Sequence, residues 1–404
     1  MAFEVRAVKD LDEFTGAIMS IGQYFGMVPD EERMQRFADL LTLERTHAAW
    51  SNGTIVGGAG AFPFSMTVPG GDLPTAGVTV VGVFPTHRRR GVLRALMRRQ
   101  LDDARERGEP IAALWASEET IYGRFGYGLA SFCGEITLPR EYTAFAQPFE
   151  PEGTVRLLTP EEAQDVLPAV YERVRLQWPG MFSRNDLWWE QREISDPEER
   201  RDGAGPKRWV AYERDGSVDG YAVYRHKPGF EAGTTSAELR VVEALGVTPS
   251  ANRDLWAYLL AVDWVATVKA SLLPPDHPLF LLLATPRRMR YRMGDALWVR
   301  LVEIGAALSG RTYSGDGSIV FDVRDDFCPW NEGRWMLEAG TAERTEDAPE
   351  LRLPVQSLGS ALLGGISFAE LARAGRVEEL EDGALDRADA LFRWDRHPWC
   401  PEIF

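Results

Sequence analysis

Residues 76–84 form an unbroken run of apolar and small side chains, the pattern of a central strand covered on both faces. A polar loop follows, and then the pattern changes period. Leu93, Leu96, Met97, Leu101 and Ala104 fall on one stripe with Arg94, Arg98 and Arg99 elsewhere, which predicts an amphipathic helix packed on a sheet. Ile111-Ala112-Ala113-Leu114-Trp115-Ala116 reads as the next buried strand. Upstream, Asn52-Gly53 between apolar segments predicts a hairpin, because both residue types tolerate the positive φ of a tight turn.

The chain then repeats itself weakly. Val5-Arg6-Ala7-Val8 precedes an acidic helical segment at residues 10–13, and Val155-Arg156-Leu157-Leu158 does the same before Pro160-Glu161-Glu162. Asp215-Gly216 repeats the hairpin signal, and Val247-Thr248-Pro249-Ser250 echoes Val83-Phe84-Pro85-Thr86. In the second copy, the loop Ser250-Ala251-Asn252-Arg253-Asp254 keeps one arginine, lacks glycine and carries an aspartate. The turn-rich stretch at residues 149–153 predicts a boundary between the copies. From about Arg288 the pattern changes again. Residues 295–302 read as a strand, 315–323 as a turn followed by another strand, and residues 355–363 and 368–374 as amphipathic helices.

The junction Val80-Val81-Gly82-Val83-Phe84-Pro85-Thr86-His87-Arg88-Arg89-Arg90-Gly91 carries the chemistry. A strand–loop–helix junction offers free backbone N–H groups and the positive end of a helix dipole to an anion. Gly91 permits close approach of a bulky diphosphate, and the arginines neutralise it. The ligand implied is a pyrophosphate-bearing cofactor. Neither Gly-x-Gly-x-x-Gly nor Gly-x4-Gly-Lys-Ser/Thr is present.

Composition narrows the class. At 404 residues and 45% hydrophobic, the chain is a globular protein of two or three domains. Its net charge of −16 argues against general nucleic-acid binding and suits cationic substrates. Cys133, Cys328 and Cys400 are far apart and odd in number, as expected of reduced thiols in a cytoplasm. The five histidines lack metal-ligand spacing, so no metal is expected. The N-terminus is unlike a signal peptide, and no stretch is apolar enough to span a bilayer. There is no Gly-x-Ser-x-Gly elbow or His-Glu-x-x-His helix to suggest a hydrolase.

Arg88-Arg89-Arg90-Gly91 resembles the coenzyme A signature of the GCN5-related N-acetyltransferases (GNATs), with Leu93 where a small residue is usual. The longer set, Ala76-Gly77 through Gly91 with Ala116-Ser117-Glu118 and Ile121-Tyr122-Gly123-Arg124-Phe125-Gly126-Tyr127-Gly128, resembles the Eis (enhanced intracellular survival) acetyltransferases. That resemblance covers the whole chain. It implies a mixed α/β and α+β fold: an active GNAT domain over residues 1–150, a degenerate one over 151–290, and a sterol-carrier-protein-2-like α+β domain over 291–404.

By the same resemblance, acetyl-CoA is the co-substrate. Backbone groups of Val81 and Val83 line its thioester arm, Arg88, Arg89, Gly91 and Val92 hold its phosphates, and Ser117 stands at the mouth of the neighbouring strand. The proton for the departing thiolate comes from Tyr122, since a tyrosine is protonated at neutral pH. From the residues alone, Tyr127 is an equal candidate. The C-terminal run His397-Pro398-Trp399-Cys400-Pro401-Glu402-Ile403-Phe404 is aromatic and rigid, unlike a fraying end, and predicts a buried terminus. In the Eis pattern the terminal carboxylate, here of Phe404, is the general base. Aminoglycoside amines, at more than one position, are the expected acceptors, with lysine ε-amines of proteins or peptides second. A non-catalytic coenzyme A- or lipid-binding scaffold is the rival reading. A hexamer is the expectation for assembly.

Overall fold

The turn residues predicted for the first hairpin have the required backbone. Asn52 and Gly53 sit at φ 51° and 77°, joining Thr46–Ser51 to Thr54–Val68. The computed structural model describes residues 3–404. It divides into two compact units. One runs through Ser131 and resumes at Ala296–Arg396 and Ile403–Phe404; the other comprises Phe132–Asp295 and His397–Glu402.

In the first unit, a seven-stranded sheet runs in the order Glu4–Ala7, Thr46–Ser51, Thr54–Val68, Gly71–Val83, Ile111–Trp115, Leu297–Leu301 and Gly128–Leu129. The predicted amphipathic helix is Val92–Glu106, and its stripe residues Leu96, Met97 and Leu101 are fully buried. Each such side chain contributes about 1.5–3 kcal/mol by leaving water. A second helix, Leu11–Gly22, begins where Asp10 accepts the Glu13 N–H. It lies directly on the sheet: a Cβ on Gly58 would stand 2.3 Å from the Ala17 carbonyl oxygen, and one on Gly82 2.6 Å from the Ile21 nitrogen.

The same unit holds a five-stranded sheet ordered Thr341–Arg344, Gly333–Glu338, Ser318–Arg324, Leu351–Pro354 and Glu378–Glu379. Helices Val355–Ala361, Phe368–Arg373 and Ala384–Phe392 accompany it, with Phe321, Phe368 and Phe392 packed ring against ring.

The second unit repeats the plan of the first copy. Strand Thr154–Leu158 leads into helix Pro160–Arg175, which opens with a Thr159–Glu162 capping box. Asp215 and Gly216 turn the next hairpin at φ 50° and 80°. Strand Glu238–Gly246 pairs in parallel with Thr267–Leu273, and helix Pro249–Ala261 connects them.

Two sequence expectations need correction. Residues 295–302 read as one strand, but Arg292–Asp295 pairs with Phe132–Pro139 in the second unit while Leu297–Leu301 joins the sheet of the first. Alternation announces strand conformation without naming the partner, so a change of sheet at Ala296 leaves no mark on it. Residues 250–254, read as a loop, form the first turns of helix Pro249–Ala261, because the Thr248 side chain caps the Ala251 N–H.

Candidate active site

The site grows from a fault in one strand. Gly71–Val83 pairs in register with Thr54–Val68 until Gly60–Thr79, then resumes shifted at Gly58–Gly82. Val80 absorbs the difference at φ 48°, as in a β-bulge. On its other edge the strand pairs with Ile111–Trp115 only from Thr75–Ile111 to Gly77–Ala113. Beyond Gly77 the two parallel strands part.

The loop after Val83 is shaped for an anion. A single turn at Pro85–His87 leads to Arg88 in an extended conformation, Arg89 at φ 60° and Gly91 at φ 90°. Nothing lies within 4 Å of a Cβ built on Gly91, so the approach to the backbone is open. Gly91 caps the helix without a side chain, and the first intrahelical bond to it comes from Ala95. The N–H groups of the first turn therefore face outward with the helix dipole behind them.

Charge pairing is uneven along the helix Val92–Glu106. Arg98, Arg99 and Arg105 bind Asp102, Asp103 and Glu303. Among the described residues, Arg88, Arg89, Arg94 and Arg124 have no ion pair, although the chain carries 61 acidic residues against 45 basic ones. All four line one cavity of about 430 Å³. Four unneutralised guanidinium groups around a bare helix terminus make a site for a multiply charged anion.

Tyr122 stands in the same cavity, in the short helix Glu119–Tyr122. Burial pushes its hydroxyl above the ordinary phenol value, a hydrogen bond with Ser117 draws it back, and the charge of Glu118 pushes it up again. The net result is a protonated donor at neutral pH. Tyr127 packs edge-on against it, with ring centroids 6.1 Å apart. Its hydroxyl is buried without a hydrogen-bond partner among the described residues, and it does not line this cavity.

Phe404 sits against Phe64 and Phe62, with centroids at 5.2 and 6.5 Å. Its ring edge comes within 3.4 Å of a Cβ placed on Gly77, the last residue of the strand paired before the splay.

Comparisons with known proteins agree with this geometry. Residues 4–130 match an acetyltransferase (GNAT) domain family, residues 180–301 another acetyltransferase (GNAT) domain family, and residues 304–401 a sterol carrier protein domain family. The chain is 41% identical to an uncharacterized N-acetyltransferase of Streptomyces avermitilis over the full length of both. It is 36% identical to N-acetyltransferase Eis of Mycobacterium tuberculosis, covering 84% of each. The crystal structure of Eis1 from Mycobacterium abscessus matches at a TM-score of 0.86 and 32% identity, over 99% of this chain and 100% of that one. The chain belongs to the Eis family of GNAT N-acetyltransferases.

Within this Eis-family enzyme, the residues expected from sequence divide into two groups. Val81, Val83, Arg88, Arg89, Gly91, Val92, Ser117 and Tyr122 all line the 430 Å³ cavity. Phe404 does not; it lies on the same strand, at Gly77. The terminus is only partly buried. Trp399, Cys400 and Glu402 are inside, while Ile403 is 55% exposed and Phe404 intermediate. Sequence reasoning missed Tyr24, His87, Arg94, Glu118 and Arg124 as cavity residues. Arg94 was within reach, since it falls in the first turn of a helix whose N-terminus was already read as an anion site.

Proposed function

We propose that this Eis-family enzyme transfers the acetyl group of acetyl-CoA to amines of polycationic acceptors, aminoglycosides foremost and at more than one position. The observation that carries the reading is the ring of unpaired arginines around the bare N-terminus of Val92–Glu106. Acetyl-CoA supplies an activated thioester. Arg88, Arg89, Gly91 and Val92 hold its diphosphate, Val81 and Val83 line its arm where the strands part, and Ser117 flanks the mouth.

Two proton tasks remain, and the chain has a group for each. An acceptor ammonium must first become a neutral amine. The α-carboxylate of Phe404 takes that proton, directly in a desolvated setting or through a bridging water. As the new C–N bond forms and the C–S bond breaks, the Tyr122 hydroxyl gives its proton to the departing thiolate, and the proton that the acceptor nitrogen sheds on becoming an amide restores the phenol. A phenol held protonated by burial suits that role. The excess of acidic residues draws polycations toward the protein. In this reading residues 1–150 carry the catalysis and residues 291–404 contribute Phe404, within a cytoplasmic, metal-free hexamer.

Thiol release from acetyl-CoA, with an aminoglycoside panel and a lysine peptide, tests the proposal. Release that needs an aminoglycoside and falls sharply on deletion of Phe404 is the expected result. Release with the lysine peptide alone would replace the acceptor. Coenzyme A binding without release for any amine would support the scaffold reading instead.

A further inference from the structure

One cavity residue with no role so far makes two contacts with groups assigned to the cofactor. Tyr24 lies in the single turn Gln23–Phe25 that follows helix Leu11–Gly22. Its hydroxyl donates to the Val83 carbonyl at 3.1 Å. The Arg88 guanidinium stacks on its ring, with Cζ 4.8 Å from the centroid.

The Val83 carbonyl is one the sheet does not use. Phe84 N–H donates to the Val56 carbonyl at 3.0 Å, and Gly57 stands opposite Val83. Gly57–Val83 is therefore a non-hydrogen-bonded pair, and both polar groups of Val83 turn away from that neighbour. On the far side, strand pairing ended at Gly77. A backbone acceptor left over by the sheet needs another donor, and Tyr24 supplies one. An extended ligand bearing amide N–H groups and lying in the splay would need the same acceptor.

We propose that Tyr24 is a stand-in for the amide of the cofactor arm: its hydroxyl holds the Val83 carbonyl until the arm arrives, while its ring steers Arg88 toward the diphosphate. The inference rests on the cofactor placement proposed above. The two contacts act on binding with opposite sign. The hydroxyl competes with the ligand, and the ring assists it.

Substitutions separate the two. Tyr24→Phe removes the competitor and keeps the ring, whereas Tyr24→Leu removes both. Tyr24 is 41% exposed, so neither change hollows the core. Phe25→Leu is the control, because Phe25 is 72% exposed and does not line the cavity. Coenzyme A would be titrated calorimetrically into all four proteins. Losing one neutral hydrogen bond from the free state should tighten binding of the Tyr24→Phe protein about five-fold. Tyr24→Leu should bind more weakly than Tyr24→Phe, and Phe25→Leu like the unaltered protein. Equal or weaker binding by Tyr24→Phe would overturn the stand-in role. No binding by the unaltered protein would overturn the cofactor placement itself.

Discussion

The two strand-to-helix junctions of the tandem GNAT repeat start from one plan and end in opposite electrostatic states. In the first copy, residues 84–91 separate Gly71–Val83 from Val92–Glu106, and among the described residues the loop leaves Arg88 and Arg89 without an ion pair and the helix without a side-chain cap. In the second, only Val247 and Thr248 separate Glu238–Gly246 from Pro249–Ala261, and Thr248 caps the helix itself. Strand Glu238–Gly246 also buries a charge network. Glu243 binds Arg184 at 2.7 Å and accepts from the Tyr221 hydroxyl, while Arg184 also holds Glu402, which lies 2.9 Å from the Tyr171 hydroxyl. The second junction caps its helix with its own side chain and pairs its buried charges internally. The first leaves its helix N-terminus and arginines open to the cavity. Function in this pair is read from what the protein does not complete.

The comparison breaks most sharply at the reacting groups. Tyr122→Phe should lower kcat about 10²- to 10⁴-fold, the span of a lost general acid, with little change in the acetyl-CoA KM. Tyr127→Phe should leave both nearly unchanged, since among the described residues its hydroxyl has no hydrogen bond to lose. Steady-state kinetics of the pair decides between the tyrosines.

Next in size is the buried network of the second copy. Arg184→Ala strands Glu243 and Glu402 and should cost about 3–5 kcal/mol in denaturant unfolding. The corresponding change in the first copy should cost far less, about the 0.5–1 kcal/mol of an exposed stacking contact between Arg88 and Tyr24. Arg88→Ala with Arg89→Ala should instead raise the acetyl-CoA KM about 10- to 100-fold, more at low salt, as charge-assisted contacts to phosphate are lost. Arg253→Ala in the second copy should not move that KM.

The smallest effect is a pH dependence. Burial pushes the Glu402 carboxyl up to about 7; Arg184 draws it down, but Glu193 and Glu243 add to the rise. A carboxyl raised in the fold adds stability that is full below its unfolded value, about 4.3, and lost as pH rises through about 7. Between pH 5 and 8 the unaltered protein should therefore lose about 2–4 °C in melting relative to Glu402→Gln. Parallel pH profiles for the two proteins would refute this.

The readable features were local ones. Asn52-Gly53, the stripe Leu96, Met97 and Leu101, and the Arg88–Gly91 loop each carry turn, period or charge within a few residues. The change of sheet at Ala296 was hidden because alternation does not record a partner. The Arg184–Glu243–Glu402 network was hidden because its members are scattered along the chain and each alone looks like a surface charge. Tyr24 carried no such local signal. Its link to Val83 depends on a turn placed by helix packing against Gly58 and Gly82, which no local pattern encodes.

The most direct test of the account is the stoichiometry of coenzyme A binding by titration calorimetry. One equivalent per chain, weakened about 10- to 100-fold by Arg88→Ala with Arg89→Ala and unchanged in affinity by Arg253→Ala, is the predicted result. Two equivalents per chain, or one whose affinity is unchanged by the loss of both loop arginines, would contradict the assignment of the site to the first copy.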